Sequence, residues 1–123
     1  MGDSLKILSV DDEPAVAQSM RFIFERPTYQ LASAQDGETA LSRLASDPKP
    51  FDIVITDNNM PGVSGIELVR QLRERHFAGK IMVLSAHLST ELRAAYEELR
   101  VDAIVDKPFN VKALRQTLDH LAA

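Results

Sequence analysis

Apolar residues along this chain follow two rhythms. Five short runs rich in aliphatic and β-branched residues, LKILSV (5–10), TYQLASA (28–34), FDIVITD (51–57), KIMVLS (80–85) and VDAIVD (101–106), alternate with segments where apolar residues return every three or four positions. The runs predict strands and the spaced segments helices. In the first segment Val16, Met20, Ile23 and Phe24 share a face behind Pro14 at a first-turn position. The second, opened by Asp36, carries Ala40, Leu41 and Leu44 and should end near Asp47-Pro48. Ile66, Val69 and Leu72 stripe the third, and Val111, Leu114, Leu118 and Leu121 the fifth. The fourth, after Ser89, has Leu92, Ala95, Tyr96 and Leu99 on one side, but its charged residues predict a helix that sits lightly on its neighbours. Phe22 and Phe24 read as a packing pair.

Strands alternating with helices at this spacing imply βαβ units with right-handed crossovers: an α/β fold with a parallel five-stranded sheet and five helices on both faces. Runs one, three and four are almost continuously apolar, as central strands covered on both sides must be, whereas the second alternates and suits an edge. Alternation alone fits several strand orders.

Composition narrows the function. With 123 residues, 45% hydrophobic and 26% charged, the chain reads as one folded domain, residues 1–123, with no linker and no room for a DNA-binding or catalytic output domain. No apolar run approaches the roughly 20 residues that span a bilayer and the N-terminus lacks the pattern of a secretory signal, so a cytoplasmic protein is expected. There is no cysteine, which excludes disulfides and thiolate chemistry. A formal charge of −4 without a basic block offers no footprint for nucleic acid or an anionic membrane.

In open α/β sheets ligands bind at the carboxyl ends of the strands. There the first run ends in Asp11-Asp12-Glu13, the third in Asp57, the fourth in Ser85 and the fifth in Asp106-Lys107-Pro108. If strands one and three are neighbours, as in an order 2-1-3-4-5, three carboxylates crowd one crevice. Such a cluster calls for a cation, and its all-oxygen donors suit a hard divalent ion, magnesium above all. Such an ion would leave positions open to a phosphoryl oxygen and make Asp57 a nucleophile. Lys107, two strands away at roughly 10 Å, is long enough to reach that group, and Ser85 could donate a hydrogen bond to it. Each residue alone has a plainer reading. Asp12-Glu13-Pro14 could cap a helix, Asp57-Asn58-Asn59 could be a solvated turn, and Lys107 and Ser85 could be surface groups. His76 and His120 lack partners at ligand spacing and read as surface residues.

VDDE (10–13), DNNMPGVSG (57–65), LSA (84–86) and DKPF (106–109) resemble, in order and spacing, the receiver domains of two-component response regulators. The likeness covers nearly the whole chain. It implies the order 2-1-3-4-5 of a flavodoxin-like doubly wound sandwich. It further implies that Asp57 accepts a phosphoryl group from a sensor histidine kinase or histidine phosphotransfer protein. Mg2+ would be held by Asp12, Asp57 and the Asn59 backbone carbonyl, with Asp11 acting mainly through a water. Lys107 would bind a phosphoryl oxygen, with Lys107-Pro108 cis, and Gly65 would serve the backbone beyond the site. Asn59 and His87 stand at variable positions that influence how fast the acyl phosphate hydrolyses. The switched surface would be the fourth helix, fifth strand and fifth helix, offered to an output partner the sequence does not name; a phosphorylation-dependent dimer is compatible with this.

The chain departs from the family at Ile104, where an aromatic ordinarily follows the movement of the residue at Ser85. Readout is therefore expected through the loop around His87 and the fourth helix, with Tyr96 as its aromatic. Two rivals remain. A magnesium-dependent phosphohydrolase of the haloacid-dehalogenase type would share the nucleophile, but places a second Asp two residues on, where this chain has Asn59. A degenerate receiver acting only as a binding module would have no need of Asp11, Asp12, Asp57, Ser85 and Lys107. Neither G-x-G-x-x-G after the first strand nor G-x-x-x-x-G-K-[ST] occurs.

Overall fold

In the computed structural model residues 4–25, 27–47, 49–60 and 62–122 are described; Pro48, named above, and Pro61, the proline of the DNNMPGVSG motif, lie outside them. The elements are β1 (Leu5–Val10), α1 (Pro14–Ile23), β2 (Tyr29–Ala34), α2 (Gly37–Ser46), β3 (Ile53–Asp57), α3 (Gly65–Glu74), β4 (Lys80–Ser85), α4 (Thr90–Glu98), β5 (Ala103–Asp106) and α5 (Val111–Ala122). All strands pair in parallel, in the order β2-β1-β3-β4-β5. The expected sandwich and edge strand are both present.

The central strands feed two cores because successive side chains point to opposite faces. Leu8, Val10, Val54, Ile81 and Val83 face one side, where they meet Ala40 and Leu41 of α2, Leu68, Val69 and Leu72 of α3 and Tyr96 of α4. Ile7, Ile53, Ile55, Met82 and Leu84 face the other, against Met20 and Ile23 of α1, Phe24, and Leu114 and Leu118 of α5. Each fully buried aliphatic side chain contributes roughly 2 kcal/mol of transfer free energy. Among the described residues no helix is long and apolar enough to cross a membrane.

Three strands begin later than the apolar runs. Asp52 Oδ2 accepts a 2.8 Å hydrogen bond from the Lys6 N–H and Asp102 Oδ2 a 2.8 Å bond from the Ile81 N–H. These side chains satisfy donors that ladder carbonyls would otherwise take, so β3 starts at Ile53 and β5 at Ala103. β2 starts at Tyr29 rather than Thr28. Phe22 is not the packing partner of Phe24. It lies about 160° round the helix from the buried Met20 and is 70% exposed, whereas Phe24 is buried and stacks edge-on to Tyr29 with ring centroids 5.0 Å apart. Val111, placed on the apolar face of α5, is likewise exposed. Both line an open apolar groove of about 850 Å³ between α1 and the start of α5.

Helix starts follow local chemistry: Asp36, Ser64 and Ser89 accept hydrogen bonds from the N–H groups of Thr39 (2.7 Å), Glu67 (3.4 Å) and Leu92 (3.1 Å). α3 and α4 close alike, with His76 and Arg100 in the left-handed region at φ 58° and 61°. The Phe77 N–H then reaches the Leu72 carbonyl (3.0 Å) and the Val101 N–H that of Tyr96 (3.4 Å). Arg73 of α3 also fastens the end of α4, its guanidinium donating to the carbonyls of Leu99 (2.7 Å) and Arg100 (2.6 Å).

Candidate functional site

Register brings the acids together. Val10 of β1 pairs with Thr56 of β3, so the next residues, Asp11 and Asp57, sit side by side at the carboxyl ends of adjacent strands. Asp11 is held there by its N–H, which donates to the Ala34 carbonyl (3.1 Å), and by its Oδ1, which accepts from the Glu13 N–H (2.9 Å). Glu13 does take the N-cap position of α1, but its side chain makes no capping bond, so capping alone does not account for this acidic stretch. Carboxylate oxygens of Asp11, Asp12 and Asp57 lie within 4.8 Å of one another; Asp11 and Asp57 are buried and Asp12 is exposed. The solvated-turn reading therefore fails at Asp57, though it describes the exposed Asn59.

Lys107 arrives from two strands away. Its N–H donates to the Ser85 carbonyl (2.8 Å), its peptide bond to Pro108 is cis, and its ammonium donates to Asp57 Oδ1 at 2.9 Å and Asp11 Oδ2 at 3.3 Å. Burial works against the charged forms on both sides of this contact. It pushes the Asp11 carboxyl up, with the charge of Asp57 adding to it, and Lys107 and the Glu13 N–H only partly offset the rise. Burial also pulls Lys107 down, but the hydrogen bond to Asp57 and the charge of Asp11 outweigh it, so the ammonium is held above its ordinary value.

Asp12, Asp57, Asn59, Ser85 and Lys107 line one cavity of about 350 Å³, with the exposed His87 at its rim and Asp11 behind Lys107. Every residue proposed for the site from the sequence is thus in or against it. The donor set suits a hard cation. Three carboxylates converge with no nitrogen or sulfur ligand among them, and the Asp12 side is open to solvent, leaving room for retained waters and a phosphoryl oxygen. Ile104 is half-buried and packs against the core cluster that also holds Tyr96.

One participant escaped the sequence reading. Asn58, taken only as part of a turn, accepts a 2.6 Å hydrogen bond from the Tyr96 hydroxyl. Gly65, which the family likeness assigns to the backbone beyond the site, is required by close approach, since a Cβ there would lie 2.6 Å from the Asp57 carbonyl oxygen. The signal for Asn58 was strand parity: one residue beyond Asp57, it addresses the opposite face of the sheet.

Known proteins resemble this chain in sequence and in fold. The family described as "Response regulator receiver domain" matches residues 7–119. Response regulator MprA of Mycolicibacterium vanbaalenii is 39% identical over 110 residues, covering 89% of this chain and 47% of the relative. The alkaline phosphatase synthesis transcriptional regulatory protein PhoP of Bacillus subtilis is 35% identical over 105 residues, covering 85% and 43%. The chain thus spans about half the length of these curated relatives. Among solved structures, the chemotaxis protein CheY4 of Vibrio cholerae superposes with a TM-score of 0.87 at 28% identity, covering 96% of this chain and 98% of that one. The receiver domain of the Francisella response regulator 1452 gives 0.86 at 29% identity, with 96% of each chain covered.

Proposed function

Since this chain belongs to the response regulator receiver family, whose members act as phosphoacceptor switches in two-component signalling, we propose that Asp57 is the phosphoacceptor and Lys107 and Ser85 its assistants. The observation that carries the proposal is the Lys107 ammonium 2.9 Å from a buried Asp57 carboxylate at the mouth of a polar cavity. Receiver domains of response regulators take phosphoryl groups from histidine kinases. In that transfer an Asp57 oxygen forms the bond to phosphorus as the donor imidazole nitrogen leaves. Lys107 moves its ammonium from the carboxylate to a phosphoryl oxygen, and the Ser85 hydroxyl donates to another. Asp12, Asp57 and the Asn59 carbonyl would hold Mg2+, with Asp11 acting through a water, and the bound ion supplies charge neutralisation. Asn59 cannot shuttle a proton, so the protein modifies itself and loses the group slowly instead of turning over substrate.

The output surface is proposed to be α4, β5 and α5, presented to an output partner or a second copy of the chain, and the reading carries a cytoplasmic location with it. Incubation with acetyl phosphate followed by intact mass measurement tests the assignment. One added phosphoryl group is expected, dependent on Mg2+ and missing in Asp57→Ala. Steady turnover of many phosphate esters would instead favour the hydrolase.

A further inference from the structure

α4 is lightly seated. Tyr96 is its one buried residue, with no side-chain surface left to solvent, while Leu92 and Leu99 are only partly covered. The Tyr96 hydroxyl ends against the peptide that follows Asp57. It donates to Asn58 Oδ1 at 2.6 Å, and the Asn58 backbone is committed on both sides. Its N–H donates to the Leu84 carbonyl (3.0 Å) and its carbonyl accepts from the Gly65 N–H (3.1 Å). The meeting point is tight enough that a Cβ on Gly65 would stand 2.7 Å from the Tyr96 hydroxyl oxygen and 2.8 Å from Asn58 Cα.

We infer that Tyr96 is a positioning residue whose hydroxyl, through Asn58, links the placement of α4 to that of the phosphoacceptor peptide. The inference rests on Asp57 being the phosphoacceptor. A directional hydrogen bond does here what ring packing alone cannot. If the Asp57–Asn58 peptide shifts when Asp57 gains a phosphoryl group, the amide of Asn58 must either carry the hydroxyl with it or leave a part-buried polar pair unmet, its Tyr96 side closed to solvent. The second outcome is disfavoured, so α4 follows. Burial, reinforced by the charge of Asp57, holds the Tyr96 hydroxyl far above its ordinary value, so it stays a donor. Coupling of this kind is reciprocal: whatever clamps α4 also changes the stability of the acyl phosphate.

Tyr96→Phe removes the hydroxyl and keeps the ring. Amide NMR spectra of the full chain, recorded before and after acetyl phosphate and Mg2+, should show wild-type shifts at Ser85, at Lys107 and through Thr90–Glu98. In Tyr96→Phe the shifts at Ser85 and Lys107 should remain while those along α4 are lost, and the acyl phosphate lifetime should change. Asn58→Ala removes the acceptor and should reproduce the loss, with the double variant no worse than either single one. If Tyr96→Phe disturbs the strands before phosphorylation, Asn58→Ala carries the same comparison. Full-sized α4 shifts in both single variants, or a phosphorylated wild type whose α4 stays silent, overturn the inference and leave the phosphoacceptor reading standing. A wild type that gains no phosphoryl mass overturns both.

Discussion

Lys107 puts one ammonium between two carboxylates, those of Asp11 and Asp57, and its side chain is only 17% exposed. Removing one member of a buried charge pair costs more than the pair contributes, because the survivors are left without compensation. Lys107→Met should lower the unfolding free energy by about 3 kcal/mol in divalent-free buffer, read by chemical denaturation. Added Mg2+ should then stabilise the variant more than the wild type, since it would neutralise a cluster that has lost its own cation. Equal Mg2+ effects on both proteins would contradict this. The pH dependence has a definite sign: with its folded value raised above 10.5, Lys107 contributes stability that is complete below 10.5 and lost as pH climbs through the raised value. The variant should lack that alkaline decline. At this scale the sequence was readable where a residue ends a strand, because the position alone points Asp11, Asp57, Ser85 and Lys107 at the same edge. It was silent where two residues 38 apart meet through side chains, as Tyr96 and Asn58 do. It misled at Phe22, whose aromatic neighbour is buried while it faces out.

Helices were legible at their starts, but the ends of α3 and α4 were opaque. Asp36 and Ser89 announce helices through their own side-chain oxygens, whereas α3 and α4 stop without the glycine that usually marks a left-handed terminus. His76 sits at φ 58°, a conformation that costs a residue with a Cβ about 1 kcal/mol. The residue is exposed, so His76→Gly removes that cost without opening a void. An increase in stability of up to about 1 kcal/mol is expected from the denaturation midpoint, the greater chain entropy of unfolded glycine taking back part of the gain. A loss of stability would mean that the His76 side chain makes a contribution of its own. Strand starts were misread for a related reason. Aspartate oxygens at 52 and 102 replace ladder carbonyls, and no apolar count reveals that.

For the whole molecule, the two cores share β1, β3 and β4, so protection should fall outward from the middle of the sheet. In native-state hydrogen exchange, amides of β1 and β3 are expected to open only with global unfolding and those of α4 well before. Equal protection of α4 and β3 would contradict a lightly seated helix. Alternation predicted the layers but not the sheet order, which came from the family likeness, because periodicity says which face a residue takes and nothing about which strand lies beside it. Arg73 adds an asymmetry to this arrangement. By gripping the carbonyls of Leu99 and Arg100 it makes the far end of α4 a pivot, and the helix, about 13 Å long by its rise per residue, a lever. A swing of only about 5° there carries the Ser89 end through about 1 Å, so the greatest travel falls beside His87.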